Sequence, residues 1–215
     1  MIVLFNGPPR SGKDAAADFF KKLGFKHLSF KYQLYKETAK YFGCNYEWFM
    51  NRYDNRSVKE VPHMDLGHMS CREAMIYVSE KVIKPKHGLD YFGKQVANEI
   101  NLSKDYAISD GGFIDELVPV INRIGSDNFV LVQLTREGCD YSSDSRRYFD
   151  GELHHQYINS HETPIQKKYV LPHKFNVKTY RIHNNGELGA FHSVLKDIYE
   201  KEYNERASGE EKMFC

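Results

Sequence analysis

Seven residues near the start of the chain, Gly7-Pro8-Pro9-Arg10-Ser11-Gly12-Lys13, have the spacing G-x-x-x-x-G-K, and each part of that spacing has a task in holding phosphate. The glycines let backbone N–H groups approach phosphate oxygens, and the lysine reaches the terminal phosphates. A helix beginning at the same point adds its positive dipole end. The implied ligand is ATP, held along Gly7, Pro8, Pro9, Arg10, Ser11, Gly12, Lys13, Asp14 and Ala15.

One position departs from the usual loop. Asp14 stands where Ser or Thr normally offers a hydroxyl to Mg²⁺. A carboxylate is also a hard oxygen ligand, so Asp14 is a candidate for Mg²⁺, directly or through water. The alternative is an acid favoured only by the helix dipole. Asp110 closes a short apolar run, where a second metal-orienting carboxylate or a catalytic base is expected; a simple turn aspartate before Gly111-Gly112 is the other reading. Arg136, Arg146 and Arg147 flank a stretch rich in Gly, Ser and Asp, which suits a lid. Guanidinium groups carried by a lid can stabilise charge developing on a transferring phosphoryl group and exclude water. Arg72, early in its own helix, is a candidate for the acceptor side. The ten histidines show no metal-ligand spacing, so no zinc site is assigned.

These residues need elements to position them. Ile2 to Asn6 reads as a strand buried on both faces, and Asp14 to Leu23 has helical spacing with Gly24 as a stop. His27 to Phe30 reads as a second strand, and Tyr32 to Phe42 as a helix closed by Gly43. Asn45 to Pro62 reads as a short helix and loop. Ser70 and Glu73 form a capping-box pattern for a helix to about Ile83, which Pro85 is expected to stop. Asp90 to Ile100 is read as a helix, Tyr106 to Ser109 as a strand, and Phe113 to Ile124 as a helix with a kink, or a late start, at Pro119. Phe129 to Leu134 and Thr179 to Ile182 read as strands, and Leu188 to Tyr203 as the closing helix.

Strands alternating with helices predict an α/β fold of the P-loop NTPase kind: a three-layer sandwich with a central parallel sheet, helices on both faces and a lid segment. Ligands of such sheets sit outside the carboxyl ends of the strands, where both the glycine loop and Asp110 fall. The expected organisation is one domain over 1–205, with an acceptor-side insertion at about 44–69, a lid at about 136–170 and a flexible polar tail over 206–215.

Bulk properties narrow the classes. The 215 residues suit one α/β core, and 30 basic against 29 acidic residues leave a formal charge of +1, too little for strong nonspecific binding to a polyanion. The four cysteines lack C-x-x-C spacing, so reduced thiols and a cytoplasmic setting are expected. No apolar stretch approaches the ~18 residues of a membrane span, and no basic leader precedes the first strand. The 15 Tyr and 14 Phe are abundant enough to offer base-stacking platforms, although core filling is the commoner use of such residues.

The run GPPRSGKDAAAD, Gly7 to Asp18, resembles the phosphate loop and first helix of bacteriophage deoxynucleoside monophosphate kinases, which share an R-S-G-K-D core. Asp110 to Glu116, DGGFIDE, resembles that family's D-x-R-F-x-x-E segment, and Arg72-Glu73 resembles an acceptor-side R-E pair. The resemblance implies ATP-dependent phosphoryl transfer with Mg²⁺, and an acceptor held by Arg72, Gly111, Gly112, Phe113 and Glu116. The family's arginine in the D-x-R-F segment grips the acceptor's phosphate, yet Gly112 occupies that position here. This loss makes the chain similar to related phage kinases that phosphorylate the hydroxymethyl group of 5-hydroxymethyluracil in DNA. Modified DNA, in an infected host cell, is thus the preferred expected acceptor, and a free deoxynucleoside monophosphate the alternative. Such an enzyme would extrude the base. Lys81 to His87 or Lys167-Lys168 could hold backbone phosphates, and Trp48, Phe49 and Tyr53 could stack on bases. A nucleotide-binding module without transferase activity is the third reading.

Overall fold

The computed structural model describes residues 1–142, 144, 146–150, 169–170 and 176–213. The chain divides into two compact units, Met1–His27 with Ser103–Gly112 and Gly125–Cys215, and Leu28–Leu102 with Phe113–Ile124.

The first unit is built on a parallel sheet of five strands, β1 (Ile2–Asn6), β2 (Lys26–Leu28), β3 (Tyr106–Ile108), β4 (Phe129–Thr135) and β7 (Lys178–His183), in the order β2-β3-β1-β4-β7. β1 lies at the centre. Its register pairs Ile2 with Tyr106 on one side and with Phe129 on the other. All five residues of β1 are buried, as continuous apolar strands covered on both faces must be. Helix α1 (Lys13–Lys22) follows β1 directly and turns Ala16, Ala17 and Phe20 into a core shared with Phe5, Val132, Leu134, Phe191 and Leu195. Phe20 meets Phe5 and Phe25 edge-on, with ring centroids 5.5 and 4.9 Å apart. A two-residue pair, β5 (Phe149–Asp150) and β6 (Tyr169–Val170), stands apart from the main sheet. The closing helix α8 spans Leu188–Met213. It therefore runs past the predicted end at Tyr203 and through described residues assigned to a flexible tail. Lys178 of β7 hydrogen-bonds Glu205, and Arg206 donates to Asn128 Oδ1 ahead of β4, so the first unit fixes α8 beyond the apolar pattern from which its end was read.

The second unit contains α2 (Phe30–Phe42), α3 (Tyr46–Asp54), α4 (Cys71–Tyr77), α5 (Lys84–His87), α6 (Tyr91–Glu99) and α7 (Ile114–Ile124). The segment 27–30, expected as a strand, is divided: β2 ends at Leu28 and Phe30 begins α2, with Ser29 as the cap between them. Gly43 closes α2 in the left-handed conformation, and the Ser70–Glu73 capping box is formed in both directions. Pro85 does not stop the helix. A π-helical stretch, Val78–Ile83, intervenes between α4 and α5, and Pro85 falls in the first turn of α5. Proline lacks only the N–H that a first helical turn leaves unused, and the changed hydrogen-bond register of the π turn lets the chain continue.

Phe49 is fully buried among Tyr35, Leu66, Cys71 and Ala74. That corrects its reading as a platform for bases. Trp48 and Tyr53 pack at the edge of the same cluster, under the guanidinium of Arg52 and the ammonium of Lys59 respectively. The expected insertion at 44–69 thus brings its own apolar residues to the core of this unit. Cys44, Cys71 and Cys139 are free thiols. No helix of the described residues is long and apolar enough to cross a membrane.

Candidate phosphate-binding site

The loop after β1 has the form its spacing requires. Arg10 and Gly12 adopt positive φ, 68° and 104°, which turns the chain tightly between strand and helix. At Gly12 this conformation is reserved for glycine, and space is as restricted as the backbone: an added Cβ would lie 2.4 Å from Asn184 Nδ2. At Gly7 a Cβ would lie 2.6 Å from both Leu134 O and Ser11 Oγ. Gly12 is also the cap of α1 and has no side chain with which to accept its first-turn N–H groups. No side-chain cap therefore competes with an anion at this helix start.

Lys13 is buried, and its ammonium donates a 2.6 Å hydrogen bond back to Pro8 O, bracing the loop from inside. Ser11 is fully buried and its Oγ has no hydrogen-bond partner. A buried hydroxyl without a partner carries a desolvation cost that a phosphate oxygen would remove. Asn184, after β7, steadies the loop by donating to Ser11 O at 2.9 Å. Pro8 is buried, Pro9 and Ala15 are half-buried, and Arg10 is exposed.

Asp14 sits exposed in the first turn of α1, and Asp110 is buried two residues beyond β3. Both carboxylates suit Mg²⁺ as oxygen donors. No cluster of three His, Cys, Asp or Glu side chains able to hold a metal exists among the described residues. A magnesium ion here would take its remaining oxygens from phosphate and water, as this ion commonly does.

The three arginines expected to serve a lid fall in different settings. Arg136 is exposed in the turn after β4. Arg147 donates through Nη1 to Asp144 O at 2.8 Å and to Arg146 O at 2.6 Å, while its buried Nε has no hydrogen-bond partner. Arg146 forms a bidentate pair with Asp144, Nε to Oδ1 at 2.9 Å and Nη2 to Oδ2 at 2.5 Å. Burial alone would raise the Asp144 carboxyl. The hydrogen bonds and charge of Arg146, its backbone N–H and the charge of Lys13 outweigh that and lower it to about 2. Burial likewise opposes the charge on Arg146, but its bonds to Asp144, with smaller effects from Tyr141 and Asp110, hold its pKa above the ordinary guanidinium value. Lys13, Asp110, Asp144 and Arg146 are therefore within electrostatic reach of one another.

This group is anchored by residues the motif reading passed over. Asn6, fully buried at the end of β1, donates to Tyr141 Oη at 3.2 Å and to Arg147 O at 2.9 Å, and accepts from Phe149 N at 3.0 Å. Tyr148 donates to Leu134 O at 2.9 Å, and its ring meets Tyr141 edge-on. Gln133 of β4 donates to Phe149 O. The start of the expected lid is thus fastened to the carboxyl ends of β1 and β4. Residues 151–168 of that lid, with Lys167-Lys168, lie outside the described residues.

Gly111 and Gly112 follow Asp110 in the first unit and are both buried. A Cβ on Gly112 would lie 2.3 to 2.6 Å from Cδ, Cγ and Cβ of Arg146. Arg72, Phe113 and Glu116 belong to the second unit. Arg72 is exposed at the second position of α4. Phe113 lies beneath the Lys84 ammonium, 4.9 Å from the ring centroid. Glu116 is buried on α7, where its carbonyl closely faces Gly93 of α6.

No protein-family model matches the chain, and no curated protein matches it. Among solved structures it is similar to a protein of Chloroflexus aurantiacus that carries the provisional description of a kinase, at 9% identity and a TM-score of 0.43, over 94% of this chain and 96% of the other. A likeness of that degree bears on neither activity nor substrate.

Proposed function

We propose that this protein is an ATP-dependent phosphotransferase acting on a nucleotide-type acceptor. The observation that carries the reading is the loop between β1 and α1: a left-handed Gly12, an uncapped helix start, an unpartnered buried Ser11 hydroxyl and a buried Lys13 ammonium, gathered at the carboxyl edge of a parallel sheet. In this reading Lys13 neutralises the donor phosphates. Asp14 and Asp110 serve the magnesium ion and the acceptor hydroxyl. Arg146 meets the transferring phosphoryl group, and the exposed Arg136 is another lid cation. Arg147 braces the segment through Nη1, which leaves the rest of its guanidinium as a further cation beside Arg146.

The acceptor reading follows from position 112. Modified DNA was the expected acceptor because no cation replaced the family's arginine there. The stem of Arg146 passes through that place, so an arginine does stand beside Gly112. If its guanidinium serves the acceptor's phosphate as well as the transferring group, the acceptor is a free deoxynucleoside monophosphate rather than a hydroxymethyl group in DNA. Incubation with γ-labelled ATP and either deoxynucleoside monophosphates or duplex DNA containing hydroxymethyluracil tests this. Label in nucleoside diphosphates is the expected result. Label confined to DNA would reverse the choice of acceptor, and label in neither would reject the transferase.

A further inference from the structure

Arginine 146 is held in one orientation by two features that no phosphate-loop motif contains. Asp144, two residues away, occupies Nε and Nη2 through three hydrogen bonds of 2.5 to 3.1 Å, and its side chain is only 10% exposed. Gly112 supplies the space in which the aliphatic stem lies, since any side chain there would overlap Cβ, Cγ and Cδ of the arginine. With the Nε and Nη2 edge taken by the carboxylate, the Nη1 edge is the one left to meet a ligand oxygen. A planar fork fixed on one edge loses little further freedom when the other edge binds.

Resting on the transferase reading above, we propose that Asp144 is a positioning residue for phosphoryl transfer, aiming the Nη1 edge of Arg146 at the phosphate oxygens, and that residue 112 is glycine to admit that arginine. The carboxylate binds no substrate; it acts through the guanidinium. Asp144 and Gly112 therefore form one device with Arg146, and their effects are coupled. Removing the arginine makes the other two irrelevant to turnover.

The test compares Asp144→Asn, Gly112→Ala and Arg146→Ala with the two double variants that add Arg146→Ala to each of the others. Three readouts are needed: ATP affinity by calorimetry, kcat with deoxynucleoside monophosphates, and the Arg146 Nε–H resonance, assigned by its loss in Arg146→Ala. Asp144→Asn and Gly112→Ala should leave ATP affinity within about threefold, lower kcat by about 10- to 100-fold as small misplacements do, and shift or broaden the resonance. Each double variant should be no slower than Arg146→Ala alone. Wild-type kcat in Asp144→Asn, or a further tenfold loss in a double variant, would overturn the proposal. Failure of the wild-type protein to bind ATP or transfer phosphate removes the function reading and the proposal together. Wild-type turnover alongside a fully active Asp144→Asn removes the proposal alone.

Discussion

In the loop between β1 and α1 the backbone sets the shape and side chains mostly stay out of its way; among the described residues of 141–149, on the same edge of the sheet, side chains make the contacts that hold the segment in place. Gly7 and Gly12 are defined by the atoms that forbid a Cβ. Asp144 and Arg146 are defined by each other, Tyr141 by Asn6, Tyr148 by Leu134 and the Phe149 carbonyl by Gln133. A site made from backbone has a local signature, because spacing alone sets it. A site made from side chains meeting across the chain has none.

The largest effect that separates the two regions is expected at Lys13. Lys13→Ala should lower turnover by about 10²- to 10³-fold, the range for removing one preorganised charge-stabilising donor, while circular dichroism shows the fold retained. A smaller effect, on stability, is expected at Asn6. Asn6→Ala leaves Phe149 N and Arg147 O without their buried partner, and should cost about 2–4 kcal/mol in urea unfolding. It should also expose 141–149 to limited proteolysis, whereas Lys13→Ala should not.

Gly12→Ala tests the backbone side of the contrast. Its φ of 104° and the overlap with Asn184 predict a loss of about 1–3 kcal/mol, together with weaker ATP binding. The acid limb of stability tests the side-chain region. Asp144 has a folded-state pKa of about 2 against an ordinary 3.8. Its ion pair therefore contributes in full above the ordinary value and is lost as pH falls from 3.8 towards 2. Wild type and Asp144→Asn should differ in stability by a constant amount near neutral pH and converge on acidification. Divergence on acidification would contradict the assigned direction.

The same contrast explains what could be read from the amino acids. The parallel sheet, the loop, the Ser70–Glu73 cap and the Gly43 stop were legible because each rests on neighbours within a few residues or on one apolar run. The Pro85 stop was misread because a π turn changes the hydrogen-bond register just before it, and no local pattern announces that. The closing helix was cut short because the apolar pattern fades before Met213, while Glu205 and Arg206 are tied to Lys178 and Asn128. Asn6 could have been noticed as a polar residue ending an apolar strand. Asp144 could have been noticed as an acid two residues before a lid arginine. Their shared role depends on contacts more than a hundred residues apart in sequence for Asn6, which no spacing encodes.

If the β1–α1 loop holds a triphosphate through its amides and Lys13, binding must depend on both. Isothermal calorimetry with ATP and magnesium, on the wild-type protein and on Lys13→Ala, measures it directly. Saturable one-to-one binding by the wild type, severely weakened in the variant, is the expected result. Absence of wild-type binding at millimolar ATP, or equal affinity in the two proteins, would contradict it.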